Sequence, residues 1–536
     1  MTSERRSYAY LLIFLLATLA ALAGCASLPT DYEKAPSQVI EDTQDTFLAT
    51  EFGPLVEVHP GESGFYPLIS GTDALVGRIA LIRGAERSLD VQYYIWHADT
   101  SGLFMIHEIL QAADRGVRVR LLLDDLDTEG KDRGLMALAA HTNIEIRLYN
   151  PFVYRGSRAV GFATDLDRTN RRMHNKSLTA DNQATVVGGR NVGNEYFGGE
   201  SHAGFSDLDV LAIGPIVHEV SRAFDEYWNS EWVVPLAAVA ADRPVTSDDL
   251  AQSRAKLKQH LAEARNTPYA EALRTTALLE AGRGRALDFS WGPATLVYDA
   301  PTKVEGTEVT AATHMGPRLK ALFDSATQEL LIVSPYFVPG DKVVEFLGQV
   351  AKRGVRVRIL TNSLAANDVG VVHAGYMRYR KDLLKRGVEL YEFKPTAELP
   401  TSGTENKKEK KWSGSDKASL HAKTFGVDRQ VVFVGSFNLD PRSVALNTEM
   451  GVVFESPELA GRLGEAFDSD AGRQAYRVEL KKIPASESLT GFDDWTLEWV
   501  TLEDGEEVRY AVEPETSWWQ RFAVGFMSLF IVESFL

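Results

Sequence analysis

The chain has 536 residues, of which 57 are Lys or Arg and 74 are Asp or Glu, so its formal net charge is −17. A chain of this length folds as several domains, and its 44% of apolar residues is enough to form ordinary hydrophobic cores. This composition excludes a wholly disordered protein, a collagen-like protein and a polytopic membrane protein. The acidic balance disfavours a general nucleic-acid binder, so we expect no nucleic acid among the partners.

The N-terminus has the pattern of an export signal. Arg5 and Arg6 precede an apolar run over residues 8–23, and the segment ends in Leu22-Ala23-Gly24-Cys25. These four residues resemble the lipobox of bacterial lipoproteins, in which the Cys is lipidated, and Cys25 is the single cysteine of the sequence. We expect a lipoprotein-type signal peptide over 1–24 and lipidation of Cys25, with an uncleaved anchor helix as the alternative. Either arrangement tethers the protein to a membrane in the bacterial cell envelope, with its body facing the periplasm.

The body of the chain contains an internal repeat. Residues 80–95 and 321–336 each predict a helix that leads into a strand. An amphipathic helix and a strand of alternating apolar and Arg residues follow in both halves, with the strands over 115–122 and 353–360. Alternating helices and strands favour an α/β fold, and the duplication predicts two such lobes.

The sequence predicts six segments. These are the signal peptide (1–24), a tether and lead-in (25–70), the first lobe (71–235), a helical insertion (236–290), the second lobe (291–480) and a C-terminal segment (481–536). In the insertion, Ser247 begins a predicted helix that runs to about Arg265, although a plain spacer is an alternative interpretation. In the C-terminal segment we expect a hairpin around Asp504-Gly505.

A predicted helix from Trp518 follows this hairpin. Its apolar core, residues 522–532, is too short to cross a bilayer, but its aromatic edge suits a membrane interface. Docking of this helix on the protein is the alternative.

One spacing of polar residues occurs twice. In both halves a His is followed after one residue by Lys, after four more by Asp, after six more by Gly and after two more by Asn. The two sets are His174, Lys176, Asp181, Gly188 and Asn191, and His421, Lys423, Asp428, Gly435 and Asn438. Because residues two apart on a strand point to the same face, each His and Lys can converge on one ligand.

Two such halves placed face to face suit a phosphodiester. One His attacks phosphorus, the other protonates the leaving alcohol, and the Lys and Asn side chains hold the phosphoryl oxygens. The sequence contains no carboxylate cluster and no Cys/His set with metal-ligand spacing, so we expect neither a metal nor another cofactor.

These residues resemble the paired HKD motif of the phospholipase D superfamily, and the resemblance spans roughly residues 70–480. It implies two pseudo-symmetric phospholipase D-like α/β/α lobes with the active site at their interface, and a phosphohistidine intermediate. It further implies that His174 is the nucleophile and His421 the acid. Lys176, Lys423, Asn191 and Asn438 would then bind phosphate, Ser436 could add a donor, and Asp181 and Asp428 would brace the catalytic motif. Gly189 lies where the second half has Ser436, so the two halves are not equivalent.

Each catalytic His also needs an acidic partner that fixes its tautomer and stabilises the imidazolium. Asp207 or Asp209 is the candidate partner for His174, and Glu449 is the candidate for His421. A surface role or an ordinary salt bridge is the alternative for each acid.

Residues 291–301, the lipoprotein-like start, the insertion and the Trp-rich tail are similar to those of the cardiolipin synthase branch, in particular its third bacterial type. This resemblance implies transfer of a phosphatidyl group to phosphatidylglycerol, with phospholipid substrates and a membrane surface as partners; a protein partner stays open. A hydrolytic phospholipase D and an envelope phosphodiesterase or nuclease of the same superfamily are the alternatives. A scaffold without activity would leave the doubled motif unexplained.

The loops before the two motifs are rich in basic residues. They predict a cationic rim that faces anionic headgroups, although a solvated loop is the alternative for each. The residues are Arg155, Arg158, Arg168, Arg171 and Arg172 in the first half, and Lys407, Lys408, Lys410, Lys411 and Lys417 in the second.

Overall fold

The structure is a computed structural model that describes residues 27–198, 205–240, 245–264, 287–306, 308–396, 418–486, 494–503 and 505–529. The signal segment with Cys25, the break predicted after Arg265, Asp504 and the five lysines of the second basic loop lie outside these ranges. The predictions for them therefore stay predictions.

The first half of the chain forms a nine-stranded sheet. The strands of this half of the chain are β1 (Ser63–Leu68), β2 (Ser88–Tyr93), β3 (Arg118–Asp124), β4 (Ile144–Tyr149), β5 (Ser177–Ala180), β6 (Ala184–Gly188), β7 (Phe205–Ser206), β8 (Asp209–Ile213), β9 (Val233–Pro235) and β10 (Ser290–Gly292). All except β7 belong to this sheet, in the spatial order β10-β1-β8-β6-β5-β2-β3-β4-β9.

The second half forms a ten-stranded sheet. The strands of this half of the chain are β11 (Ala294–Tyr298), β12 (Glu329–Val333), β13 (Arg356–Asn362), β14 (Glu389–Phe393), β15 (Ser419–Leu420), β16 (Thr424–Val427), β17 (Val431–Gly435), β18 (Met450–Glu455), β19 (Ala475–Ile483), β20 (Asp494–Glu503) and β21 (Glu506–Tyr510). All except β15 belong to it, in the order β11-β18-β17-β16-β12-β13-β14-β19-β20-β21.

Helices cover both sheets. In the first half they are α1 (Phe47–Glu57), α2 (Gly71–Gly84), α3 (Thr100–Asp114), α4 (Asp132–Ala139), α5 (Arg158–Thr164), α6 (Leu166–Thr169), α7 (Asn194–Phe197), α8 (Pro215–Asn229), α9 (Leu236–Val239) and α10 (Ser247–Glu263). In the second half they are α11 (Met315–Asp324), α12 (Gly340–Lys352), α13 (Gly370–Tyr376), α14 (Arg380–Lys385), α15 (Pro441–Ala445), α16 (Pro457–Gln474) and α17 (Trp518–Ser528).

The two sheets repeat one arrangement, which confirms the predicted α/β fold of two pseudo-symmetric lobes. Strand β2 pairs in parallel with β3 and antiparallel with β5, and β12 pairs in the same way with β13 and β16. Gly116 and Gly354 end the helices before β3 and β13 with φ of +98° and +92°. Only glycine adopts this left-handed backbone without strain, so the same turn is built at the same place in each lobe.

The lobes join through an apolar layer and a short strand pair. Phe65 on β1 stacks on Phe454 of β18 with ring centroids 4.1 Å apart, within a buried cluster formed by both sheets. Strand β7 of the first half pairs in parallel with β15 of the second. The chain crosses between the sheets at Pro293, since β10 belongs to the first sheet and β11 to the second. Trp291, at the start of the predicted second lobe, therefore lies in the first sheet.

The segments outside the repeat pack on one lobe each. Helix α10 of the insertion lies on α3 and α4, and its Leu257 is buried in the core of the first lobe. The hairpin of β20 and β21 extends the edge of the second sheet, and α17 packs on α13. Within the described ranges, no helix is both long enough and apolar enough to cross a membrane.

Candidate active site

The two motif histidines lie at the junction of the lobes. The main-chain N–H of His174 donates to the carbonyl of Thr448 at 2.8 Å, and that of His421 donates to the carbonyl of Ser206 at 2.7 Å. Each motif is thus anchored by the opposite lobe at the same position. Both side chains are buried, with exposed fractions of 7% for His174 and 5% for His421.

The acidic partners are exchanged between the lobes relative to the prediction. The Nδ1 atom of His174 lies 2.7 Å from Glu449 Oε2, and the Nδ1 atom of His421 lies 2.6 Å from Asp207 Oδ2. The predicted pairs, Asp207 with His174 and Glu449 with His421, are therefore wrong. Thr448 and Ser206, which bind the two histidine main chains, directly precede these acids, so the same contact brings each acid to the histidine of the other lobe.

Asp209 contacts neither histidine, so its candidacy as an orienting acid is also wrong. Its carboxylate accepts hydrogen bonds from Arg78 Nη2 at 2.9 Å and from the main-chain N–H of Arg190 at 3.1 Å. Asp209 and Arg78 are both fully buried. Asp209 therefore ties α2 to the turn after β6, behind the histidines.

Ser436 holds an acid, which differs from its predicted role as a donor to phosphate. Its hydroxyl donates to Glu449 Oε2, and a second hydroxyl, from Ser443, donates to Glu449 Oε1 at 2.8 Å. Gly189, at the matching position of the first half, is required for space, because a Cβ there would lie 2.3 Å from Asp207 Oδ1. The second lobe therefore has Ser436 beside the longer Glu449, whereas the first lobe needs Gly189 because Asp207 packs closely against it.

The electrostatics of the site keep the histidines neutral in the free protein. Burial lowers the pKa of His174 well below its ordinary value, and the charges of Lys176 and Lys423 lower this pKa further. Burial also lowers the pKa of His421, although Asp207 acts in the opposite direction. Since His421 also acts on His174, the two histidines and the two lysines form one electrostatic unit.

The pKa values of the two acids are shifted in opposite directions. Burial acts to raise the pKa of Asp207, but His421 and Lys423 outweigh it and hold that pKa well below its ordinary value. Burial raises the pKa of Glu449, although Lys176 and Ser436 oppose the shift.

The motif lysines are buried beside their histidines. Lys176 Nζ donates to the carbonyl of His174 at 2.6 Å, and Lys423 Nζ donates to that of His421. Burial lowers the pKa of Lys176 to about 7 and the pKa of Lys423 to about 8. An anionic ligand would therefore stabilise the charged form of both lysines.

The motif asparagines reach the same region. Asn191 Nδ2 donates to the Tyr196 hydroxyl at 2.9 Å. Within the part of the chain that the structure describes, Asn191 Oδ1 and Asn438 Oδ1 are buried and have no hydrogen-bond partner.

The motif aspartates lie away from the reacting groups. Asp181 follows β5 and accepts hydrogen bonds from the main-chain N–H groups of Glu86, Arg87 and Ser88 at 2.7 to 2.9 Å. Asp428 follows β16 and accepts in the same way from residues 327–329. They brace the corners that lead into β2 and β12, at the opposite end of each strand from the histidine.

Two tyrosines that the sequence analysis did not single out pack on the histidines. The ring centroid of Tyr94 lies 4.9 Å from that of His174, and the centroid of Tyr196 lies 5.2 Å from that of His421. Tyr94 directly follows β2, at the strand end where an α/β site is built, which is the signal that would have identified it.

The arginines of the first basic loop do not form the predicted cationic rim. Arg155 and Arg158 pair with Asp125, and Arg172 is fully buried against Asp124. Arg168 and Arg171 pair with Asp165 and Asp167 on their own short helix and its cap. Carboxylates of the same lobe neutralise these guanidinium groups, and the resulting ion pairs hold the loop in place.

One group of side chains has the composition of a metal site. Ligand atoms of His97, Asp99 and Glu195 lie within 4.8 Å of one another. Asp99 accepts from the N–H groups of Gly102 and Asn194, and His97 pairs with Glu195 at 3.0 Å. Asp99 therefore binds main-chain N–H groups as a helix cap, and His97 and Glu195 form an ion pair.

The duplicated lobes and the doubled His and Lys site define a phospholipase D-like protein. A family model described as "Cardiolipin synthase, PLD-like domain" matches residues 79–228 and 319–471, the core of both lobes. The chain belongs to this family of phospholipase D-like cardiolipin synthase domains.

Individual relatives agree with this membership. The chain is 42% identical to cardiolipin synthase C of Escherichia coli over 487 residues, which cover 91% of this chain and 99% of that protein. It is 26% identical to cardiolipin synthase 2 of Staphylococcus epidermidis over 73% of this chain and 64% of that protein. The crystal structure of a phosphatidylserine synthase from Haemophilus influenzae has the same fold, with a TM-score of 0.52 at 14% identity over 77% of this chain and 87% of that one.

Proposed function

We propose that this protein is a cardiolipin synthase, which transfers a phosphatidyl group to the free hydroxyl of phosphatidylglycerol. The observation that carries the proposal is the pair of buried histidines, each held by an acid of the opposite lobe and flanked by a motif lysine. The 42% identity to cardiolipin synthase C over nearly the whole chain supports the choice of substrate.

In the first step His174 attacks phosphorus. Its Nδ1–H donates to Glu449, so Nε2 carries the lone pair that forms the N–P bond. His421 takes up a proton at Nε2 when the anionic phosphodiester binds, and it donates this proton to the leaving alcohol oxygen as the bond from phosphorus to that oxygen breaks. Asp207 is ionised and stabilises the protonated form of His421. Lys176 and Lys423 stabilise the charge that develops on the phosphoryl oxygens.

In the second step the roles of His421 reverse. His421 removes the proton from the hydroxyl of phosphatidylglycerol, the resulting oxygen attacks the phosphohistidine, and the N–P bond to His174 breaks. The product is cardiolipin. Water at the same place would give phosphatidic acid, so the choice between transferase and hydrolase depends on which hydroxyl reaches the phosphohistidine.

The test is to identify the lipids that the purified protein produces. We expect cardiolipin from vesicles of phosphatidylglycerol, with and without phosphatidylethanolamine, as measured by mass spectrometry of the extracted lipids. His174→Ala and His421→Ala should give no product, while His141→Ala, which changes a histidine paired with Asp114 at the surface, should remain active. Phosphatidic acid without cardiolipin would identify the hydrolytic phospholipase D instead, and turnover of neither lipid would refute both.

We further propose that the protein works at a membrane of the bacterial envelope as a lipoprotein. The lipobox-like segment at Cys25 supports a tether, and α17 supports a second contact. The aromatic side chains of α17 are largely exposed, with fractions of 58% for Trp518, 69% for Trp519, 53% for Phe522 and 55% for Phe526. An exposed aromatic face on an amphipathic helix suits the headgroup region of a bilayer.

A further inference from the structure

The first lobe contains an apolar pocket of about 500 Å³ outside the phosphate site. Helices α3, α4 and α10 form its walls, and its apolar lining includes Leu103, Ile106, Leu135, Leu250 and Leu257. Its volume lies within the range of about 300–1,000 Å³ typical of small-molecule sites. The inserted helix α10, which packs on α3 and α4, closes one side of the pocket.

One end of this pocket is a wall of the active site. Tyr94 lines the pocket, and its ring packs on the ring of His174. Asp124 also lines the pocket, and its carboxylate accepts a hydrogen bond from the main-chain N–H of Met173 at 2.8 Å, one residue before the nucleophile. A ligand attached to the phosphorus at His174 therefore has the pocket beside it.

The chemistry of the lining selects an apolar ligand. Two of the polar lining residues bind groups of the protein: Asp127 accepts from the main-chain N–H of Trp96 at 2.9 Å and pairs with Lys131 at 2.6 Å, and Lys131 also donates to the Trp96 carbonyl. The rest of the lining is mainly apolar side chains of the three helices. A slender hydrocarbon gains from such a site, because it loses its contact with water against these apolar side chains.

We propose that this pocket binds an acyl chain of the phosphatidyl group that stays on His174 during transfer. The inference rests on the proposed function in that the ligand is a phospholipid, but it holds equally for transfer and for hydrolysis. It assigns the insertion a role, which is to form one wall of the acyl site and so to set the chain length that the enzyme accepts.

Filling the pocket tests the assignment by kinetics. Ile106→Trp and Leu135→Trp each place a large ring at a half-buried lining position. The matched control is Val343→Trp, a half-buried residue on α12, the helix of the second lobe that corresponds to α3. Rates are measured for dioleoyl phosphatidylglycerol and for dihexanoyl phosphatidylglycerol in mixed micelles.

We expect both pocket variants to lower kcat/KM for the dioleoyl lipid by about tenfold or more, with a change of less than about twofold for the dihexanoyl lipid. Val343→Trp should leave the ratio of the two rates unchanged. Equal losses for both lipids, or no loss for either, would overturn the acyl site.

A binding measurement keeps the proposal testable if the Trp variants fail to fold. Full-length His174→Ala protein is irradiated with phosphatidylglycerol that carries a diazirine at the end of one acyl chain, and labelled peptides are identified by mass spectrometry. We expect labels within α3, α4 or α10, and unlabelled long-chain phosphatidylglycerol should compete for them. Labels confined to other helices would overturn the proposal. Because labelling needs no turnover, a failure of the proposed synthase reaction gives a different result from a failure of the acyl site.

Discussion

At the scale of single residues, the central feature is the exchange of acids between the lobes. Glu449 of the second lobe orients His174 of the first, and Asp207 of the first orients His421 of the second. Neither lobe therefore contains a complete catalytic pair. This arrangement makes the site depend on correct docking of the lobes, and it pairs each acid with one histidine.

The division of labour between the acids can be separated with an activated leaving group. Glu449→Gln impairs the nucleophile, so we expect it to lower kcat by about 10³- to 10⁴-fold with both phosphatidylglycerol and phosphatidyl-4-nitrophenol. Asp207→Asn impairs the acid, so its loss should be large with phosphatidylglycerol but small in the first burst of nitrophenol from the nitrophenyl ester, since nitrophenolate leaves in the first step without protonation. Release of nitrophenol is followed by absorbance. The reverse pattern would make His421 the nucleophile and His174 the acid.

The buried lysines predict an unusual pH dependence. Each lysine carries its positive charge below its pKa, and burial brings the pKa of Lys176 to about 7 and that of Lys423 to about 8. We therefore expect kcat/KM to fall as the pH rises through 7 to 8, because the free enzyme loses the charges that attract the phosphodiester. The profile is measured from pH 5 to 10 with dihexanoyl phosphatidylglycerol at constant ionic strength. A plateau that extends to pH 10 would contradict it.

At the scale of elements, the motif aspartates connect a strand to the corner beside it. Asp181 has φ of +50° and binds three successive main-chain N–H groups, and Asp428 has φ of +51° and does the same in the second lobe. The left-handed conformation lets the carboxylate turn back toward the neighbouring corner, a conformation that Asp and Asn adopt more readily than other residues. The Asp of each HKD motif therefore holds two parts of its lobe together.

Replacing these aspartates should change stability rather than chemistry. Asp181→Ala leaves three main-chain N–H groups without their carboxylate partner, that of Ser88 being buried, and we expect a loss of about 2–4 kcal/mol in the free energy of unfolding. Thermal unfolding should shift downward by about 5–10 °C in calorimetry. Asp181→Asn, which keeps the left-handed turn, should lose less. A large fall in kcat with an unchanged unfolding temperature would instead place Asp181 in the reaction.

At the scale of the whole molecule, the additions to the two lobes are arranged around the active site. The insertion forms a wall of the pocket beside His174, and α17 lies on α13, next to Asp368, whose charge acts on Lys423. Val524 is buried in this contact, while the aromatic face of α17 stays exposed. A bilayer that contacts α17 would therefore lie near the second half-site.

Membrane binding through α17 can be measured apart from the tether. In the chain that begins at residue 27, we expect the triple change Trp518→Ser, Trp519→Ser and Phe522→Ser to weaken binding to phosphatidylglycerol vesicles by at least about tenfold in sedimentation assays. The matched control changes three exposed apolar residues on the neighbouring hairpin and the chain that leaves it, Trp495, Leu502 and Val512, to Ser. Equal weakening by both triples would contradict a specific role for α17.

Local patterns in the sequence predicted much of the fold. The helix-to-strand repeat and the start of α10 at Ser247 agree with the structure. These features depend on periodicity and capping within one segment, which short-range backbone geometry determines. The spacing of His and Lys likewise placed both groups of each half together, because two residues along an extended chain fix their relative direction.

The sequence by itself determined that this protein has two lobes, each with one His and one Lys two residues apart on an extended chain. Only the tertiary structure decided which acid serves which histidine, that Ser436 holds Glu449, and that the arginines of the first loop are neutralised by Asp124, Asp125 and their neighbours. The physical reason is that these contacts join different segments of the chain. The acid–histidine pairs form where the two sheets pack on each other, and the Ser436 and arginine contacts form where separate strands and loops of one lobe meet, so no spacing within one segment records them.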